Sequence, residues 1–243
     1  MIVKGGYTNY GQEVGILMLE TRFPRLPGDI GNAKTFPFPV MYLTISGASP
    51  TRIVKERDST LLKPFIDGAR ELEERGVRAI TTSCGFLALW QEELAAAVSI
   101  PLFTSSLIQI PFLFRIFGGR GTIGVLTARA QSLTQEHFAQ CGANKLPIVI
   151  AGMDESPEFT RVFLEEANSK EDCTMDTDRV RDELILAAGR LIDEHPDIRA
   201  VVLECTNMPP FRKEIANKIG KPVFDIVTLT KFIYSGLVAD WRI

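Results

Sequence analysis

Shifted by 121 residues, this chain lies on itself. Residues 73–103 align with 194–224 without a gap, so that VRAITTSC falls on IRAVVLEC. Eight of the 31 positions are identical: Glu73/Glu194, Arg78/Arg199, Ala79/Ala200, Cys84/Cys205, Glu93/Glu214, Ala95/Ala216, Pro101/Pro222 and Phe103/Phe224. Trp90 meets Phe211, and Val77, Ile80, Leu94, Val98 and Leu102 all meet aliphatic residues. The shift is half of the 243-residue length, and a repeat of this kind restricts a chain to folds built twice. A looser match sets GILM (15–18) on GVLT (124–127) at a shift of 109, so the first half carries extra residues. The Pro- and Gly-rich stretch RFPRLPGDIGNAKTFPFP (22–39) reads as that insertion, and as a loop.

Apolar runs of strand length recur along the chain at 14–20, 40–46, 77–83, 101–104, 122–127, 147–153, 200–204 and 222–227. Several are apolar at consecutive positions, as strands covered on both faces require, and helical patterns lie between them. The clearest helix is 176–195, where Val180, Leu184, Ala187 or Ala188 and Leu191 form one stripe. The expected fold is α/β: two similar lobes with mostly parallel sheets, related by a pseudo-twofold axis, with an active site in the cleft between them. The first lobe is expected to take residues 1–117 plus 226–243 and the second 118–225. GGRGTIG (118–124) precedes a strand instead of joining strand to helix, so it reads as an interlobe turn and not as a dinucleotide motif.

The net charge of −3, with no run of basic residues, argues against nucleic acid or an anionic membrane as partner. The N-terminal MIVKGGYTNYGQEVG lacks the apolar core of a signal peptide. LIQIPFLFRIF (107–117) is too short to span a bilayer and contains Pro111 and Arg115. It fits a subunit interface, and hence a homo-oligomer, as well as it fits an interior helix. Four cysteines without metal-site spacing, and no export signal, suggest free, reduced thiols in the cytoplasm and no bound metal. His137 and His195 fall on helices away from the cysteines and read as surface residues, which removes a Cys–His dyad.

Cys84 and Cys205 each sit where a strand ends and a helix begins. Ligands of open parallel sheets bind outside the carboxyl ends of the strands. A helix start there offers unpaired N–H groups to an anion and lowers a thiol pKa. Lone free cysteines are more often inert core residues. A matched pair at two strand ends is harder to explain that way. If the lobes face one another, one thiol can remove a proton from a carbon and the other return one from the opposite face. Cys141 and Cys173 have no counterpart under the repeat and read as structural or surface residues. Glu204 is pointed by strand alternation to the other face, where a salt bridge is expected.

TTSCGFLA (81–88) and LECTNMPP (203–210) resemble the first and second cysteine motifs of the aspartate/glutamate/hydantoin racemase superfamily, and TIGVLTARA (122–130) resembles the strand and turn that open its second lobe. That resemblance covers most of the chain from about residue 14 and implies a cofactor-independent enzyme. It implies Cys84 and Cys205 as the acid/base pair, with Gly85, Thr206, Asn207 and Thr127 offering donors to a substrate carboxylate. Phe86 either lines the pocket or packs the lobe, Asn207 either contacts substrate or caps a helix, and Arg22 is either solvated or a carboxylate clamp. Two departures, Glu20-Thr21-Arg22 after the first strand and Asn207 where glutamate racemases carry His, speak against free glutamate. The expected activity is an isomerase: racemisation or epimerisation of a small carboxylate-bearing substrate, such as an amino acid or derivative. The alternatives are a maleate-type cis–trans isomerase, an arylmalonate-type decarboxylase, or a non-catalytic small-acid binding protein.

Overall fold

A computed structural model describes residues 5–165 and 172–237. All eight apolar runs form strands: β1 (Val14–Leu19), β2 (Val40–Ile45), β3 (Ala79–Thr82), β4 (Leu102–Phe103), β5 (Thr122–Thr127), β6 (Ile148–Gly152), β7 (Ile198–Leu203) and β8 (Val223–Phe224). They pair in parallel as two four-stranded sheets, ordered β2-β1-β3-β4 and β6-β5-β7-β8. The second order is the first repeated, so the sequence repeat is a repeat of topology. β1 and β5 are buried along their whole length, which explains their unbroken apolar character.

Between the strands run α1 (Leu62–Glu74), α2 (Gln91–Ala96), α3 (Ile110–Ile116), α4 (Gln135–Gln140), α5 (Pro157–Phe163), α6 (Thr177–Glu194) and α7 (Arg212–Ile219), and α8 (Ile226–Leu237) follows β8. The stripe read from the sequence buries Val180, Leu184, Ala188 and Leu191 of α6, and Asp176 caps that helix by accepting from the Arg179 amide. One apolar cluster runs through both lobes. A second, smaller one seats Ile226, Val227 and Leu229 of α8 against Val14, Ile16 and Met18 of β1, so the chain's last helix returns to the first sheet. In segment 107–117, Leu107, Ile110 and Leu113 are buried while Phe112 and Ile116 are exposed, so it is interior on one side and open on the other. Among the described residues, no helix is long and apolar enough to cross a membrane.

Residues 118–121 turn between α3 and β5, and Gly121 has φ 75°. A Cβ there would lie 2.6 Å from Arg199 Cγ and 2.7 Å from the Asp197 carbonyl, so the turn demands glycine. The 22–39 segment contains neither helix nor strand, as expected. It is nonetheless no surface loop, because Asp29, Ile30, Phe36 and Phe38 are buried. It reaches the second lobe, where a Cβ on Gly28 would fall 2.9 Å from Pro210 Cα.

Candidate active site

Both cysteines stand two residues beyond a strand end, Cys84 after Thr82 of β3 and Cys205 after Leu203 of β7. The helix that follows each is not α at its start. A 3₁₀ turn, Gly85–Trp90, precedes α2, and another, Pro209–Phe211, precedes α7. Turns this short align few peptide dipoles, so the expected anion-binding helix ends are weak. The expected lowering of the thiol pKa is reversed as well. Burial first, and the nearby Glu204 charge second, push Cys84 up to about 12, with the Phe86 and Leu87 amides offsetting part. Burial raises Cys205 well above the ordinary thiol range, with Glu204 adding to it.

The two cysteines share one small cavity of about 30 Å³, whose walls include Gly85 and Phe86 from the first lobe and Thr206 and Asn207 from the second. Thr206 Oγ1 donates to the Ser83 carbonyl across the lobes at 2.6 Å. Thr127 is not part of this wall. Its hydroxyl donates to Glu204 Oε2 at 2.7 Å, so it serves a neighbouring carboxyl. Asn207 does not cap the next helix either, since Met208 occupies that position. Its amide nitrogen donates to Asp29 Oδ2 at 2.8 Å, and its Oδ1 accepts from the Cys205 thiol at 3.6 Å. Asp29 in turn accepts from Arg25 at 2.6 Å, and Arg25 also donates to Thr21. The 22–39 segment therefore braces Cys205 from the other lobe.

Glu204 corrects the sequence expectation most. β7 ends at Leu203, so strand alternation no longer fixes the next side chain. The carboxyl is fully buried, lines the cavity and has no basic partner within salt-bridge distance among the described residues. Among the described residues, no hydrogen-bond donor meets its Oε1. Burial raises its pKa to about 7, with the Thr127 hydroxyl and the Ala128 amide pulling the other way. Gly85 fits against it only for want of a side chain, because a Cβ would lie 2.2 Å from Oε1 and 2.3 Å from the Glu204 carbonyl.

One other placement, that of His137, differs from expectation. His137 is buried, forms a capping box with Thr134 and sets its ring edge-on to Phe86 at 5.6 Å, while burial and then the Arg57 charge lower its pKa to about 4. Cys141 is buried near Glu204, whose charge adds to burial in raising that thiol to about 12. Cys173 and Arg22 both line a larger outer cavity of about 710 Å³. Thr21, Phe23, Pro50 and Phe163 belong to both cavities, and the Phe23 and Phe163 rings meet edge to face at 5.1 Å between them. Asp29 and Glu204 are the site residues that sequence reasoning missed. A loop acid gives no local signal of its partner, whereas an acid ending an apolar run beside a cysteine was a visible one.

Residues 37–230 match the family model for Asp/Glu/hydantoin racemase. The chain belongs to that family. It is 30% identical over 236 residues to dimethylsulfoniopropionate lyase of Durusdinium sp. clade D, a match spanning 94% of this chain and 76% of that protein. Its fold resembles unliganded arylmalonate decarboxylase, with TM-score 0.58 at 14% identity over 95% and 94% of the two chains. It also resembles a glutamate racemase of Bacillus anthracis, with TM-score 0.56 at 18% identity over 94% and 84%. Family and two-lobed fold are those that the cysteine motifs implied. An enzyme is supported; the isomerase class is not, because the relative at 30% identity is named a lyase.

Proposed function

We propose that this chain is a cofactor-independent lyase acting on a small carboxylate with a leaving group β to the acid, of the dimethylsulfoniopropionate type. The observation that carries the proposal is the pair of thiols, one from each lobe, on a single cavity. The thiols are not equivalent. Asp29 holds the Asn207 amide so that its oxygen faces Cys205, which favours the protonated thiol there. Backbone amides lie beside both sulfurs, those of Phe86 and Leu87 at Cys84 and that of Asn207 at Cys205, so the Asn207 side-chain contact is what distinguishes the two thiols. Racemisation requires the thiols to exchange roles, whereas elimination requires one base. The asymmetry therefore supports elimination, as does the name of the relative.

In the proposed step the Cys84 thiolate takes the proton α to the carboxylate. The C–H pair becomes the new C=C bond, and the Cβ–S bond breaks with its electrons leaving on sulfur. The products are an unsaturated acid and a neutral sulfide, and the proton on Cys84 passes to solvent. Amides near Gly85 and Thr206 would hold the carboxylate and spread its enolate-like charge. The test is sulfide release from dimethylsulfoniopropionate by the intact protein, followed by gas chromatography. Cys84→Ser is expected to lower kcat by roughly 10²–10⁴-fold. Exchange of the α-proton in deuterated water with no sulfide released would reject elimination in favour of racemase-type chemistry.

A further inference from the structure

Glu204 is the one ionisable side chain besides the cysteines on the inner wall, and no Lys, Arg or His shares that wall among the described residues. Thr127 occupies Oε2, while Oε1 is buried with no donor among the described residues. A carboxyl placed this way costs stability unless a partner arrives. Three phenylalanines line the same cavity: Phe86 from beside Cys84, and Phe23 and Phe163 at the passage to the outer cavity. Aromatic faces beside a carboxylate match a cation that carries alkyl groups and no N–H, which gains from ring faces and needs no hydrogen-bond acceptor.

We infer that Glu204 and the rings of Phe23, Phe86 and Phe163 form a subsite for an onium cation, a sulfonium or quaternary ammonium group, with the Glu204 carboxylate as its counter-charge. The inference deepens the lyase reading, since an onium centre is the leaving group there and this subsite would set it opposite the thiols. Elimination neutralises that centre, so the departing sulfide loses its attraction to Glu204 as the bond breaks. The groups whose charges act with Glu204 are the thiols of Cys84, Cys141 and Cys205, and Asp29 acts on Cys205 from the bracing segment.

The test uses the whole protein and two probes of equal shape: 3-(trimethylammonio)propionate, which carries the cation, and 4,4-dimethylpentanoate, which does not. Titration calorimetry is expected to show the ammonium probe binding at least about tenfold tighter. In Glu204→Gln that preference should vanish while affinity for the neutral probe stays the same. Equal affinities in the wild type, or a preference that survives in Glu204→Gln, would overturn the inference. A loss shared equally by both probes would overturn it too, since it would mean a purely structural role. Should the variant fail to fold, the wild type still decides. At pH 6 the ammonium probe should expel about one proton per site from Glu204 and the neutral probe none, because the raised thiols stay protonated in both cases. No proton release would count against it. An intact ammonium preference with no sulfide from dimethylsulfoniopropionate would uphold the subsite and reject the lyase alone.

Discussion

At Gly85 the clash of an added methyl is with the Glu204 carbonyl, 2.3 Å from the new Cβ, and not only with a movable side-chain end. Gly85→Ala is therefore expected to destabilise the protein by about 1–3 kcal/mol, as overpacking does elsewhere. Urea unfolding checks this; an unchanged midpoint would mean the two lobes slide apart freely at this contact. Glu204 imposes a pH dependence of unusual sign for a carboxylate. Its folded pKa, about 7 against an ordinary 4.5, means that the folded state holds the proton longer than the unfolded state. Its contribution is full below about pH 4.5, falls as pH rises, and is lost above about 7, a total on the order of 3 kcal/mol. Buried Asp225 also has a raised pKa, so the diagnostic quantity is the difference between wild type and Glu204→Gln. That difference should change between pH 4.5 and 8; a constant offset would place Glu204 in a more polar setting than described. Of these residues the sequence exposed the cysteines, because the repeat doubled them. It does not expose the inward burial of Glu204, because strand alternation does not extend one residue past the strand's end.

The elements divide sharply in how well they could be read. Eight strands and the α6 stripe follow from local pattern: unbroken apolar runs between turn residues, and a 3.6-residue period ended by Asp176 at one side. The 22–39 segment follows from nothing local. Proline and glycine exclude helix and strand, but its partners, Asn207 and Pro210, lie about three quarters of the chain away. Composition cannot report such a contact. Asp29→Ala is expected to cost roughly 3 kcal/mol, since it strands Arg25 and leaves the Asn207 amide without its acceptor. It should also speed alkylation of Cys205 by iodoacetamide, because Asn207 would no longer be fixed against the thiol. Unaltered alkylation with lowered stability would confine the segment to a packing role.

On the scale of the whole molecule, two copies of one sheet enclose a space of about 30 Å³, far below the roughly 300–1,000 Å³ of ordinary small-molecule sites. On the proposed reading a substrate would have to widen this space, and the adjoining 710 Å³ cavity offers an approach past Phe23 and Phe163. If opening or product exit limits turnover, kcat should fall in proportion to added sucrose viscosity. A kcat indifferent to viscosity would make the chemical step limiting. Removing one ring by Phe163→Ala should speed entry of the neutral probe in stopped-flow mixing, and no change would mean entry by another route. The brace from Arg25 through Asp29 to Asn207 belongs to this motion, because it ties the first lobe to the residue that fixes Cys205. The lobes cannot separate by a simple rotation without pulling that tie. On the proposed reading, cleft opening and thiol setting would behave as an interlock: an open entrance would leave Cys205 without its anchor, and closure would restore the Asn207 contact to its sulfur.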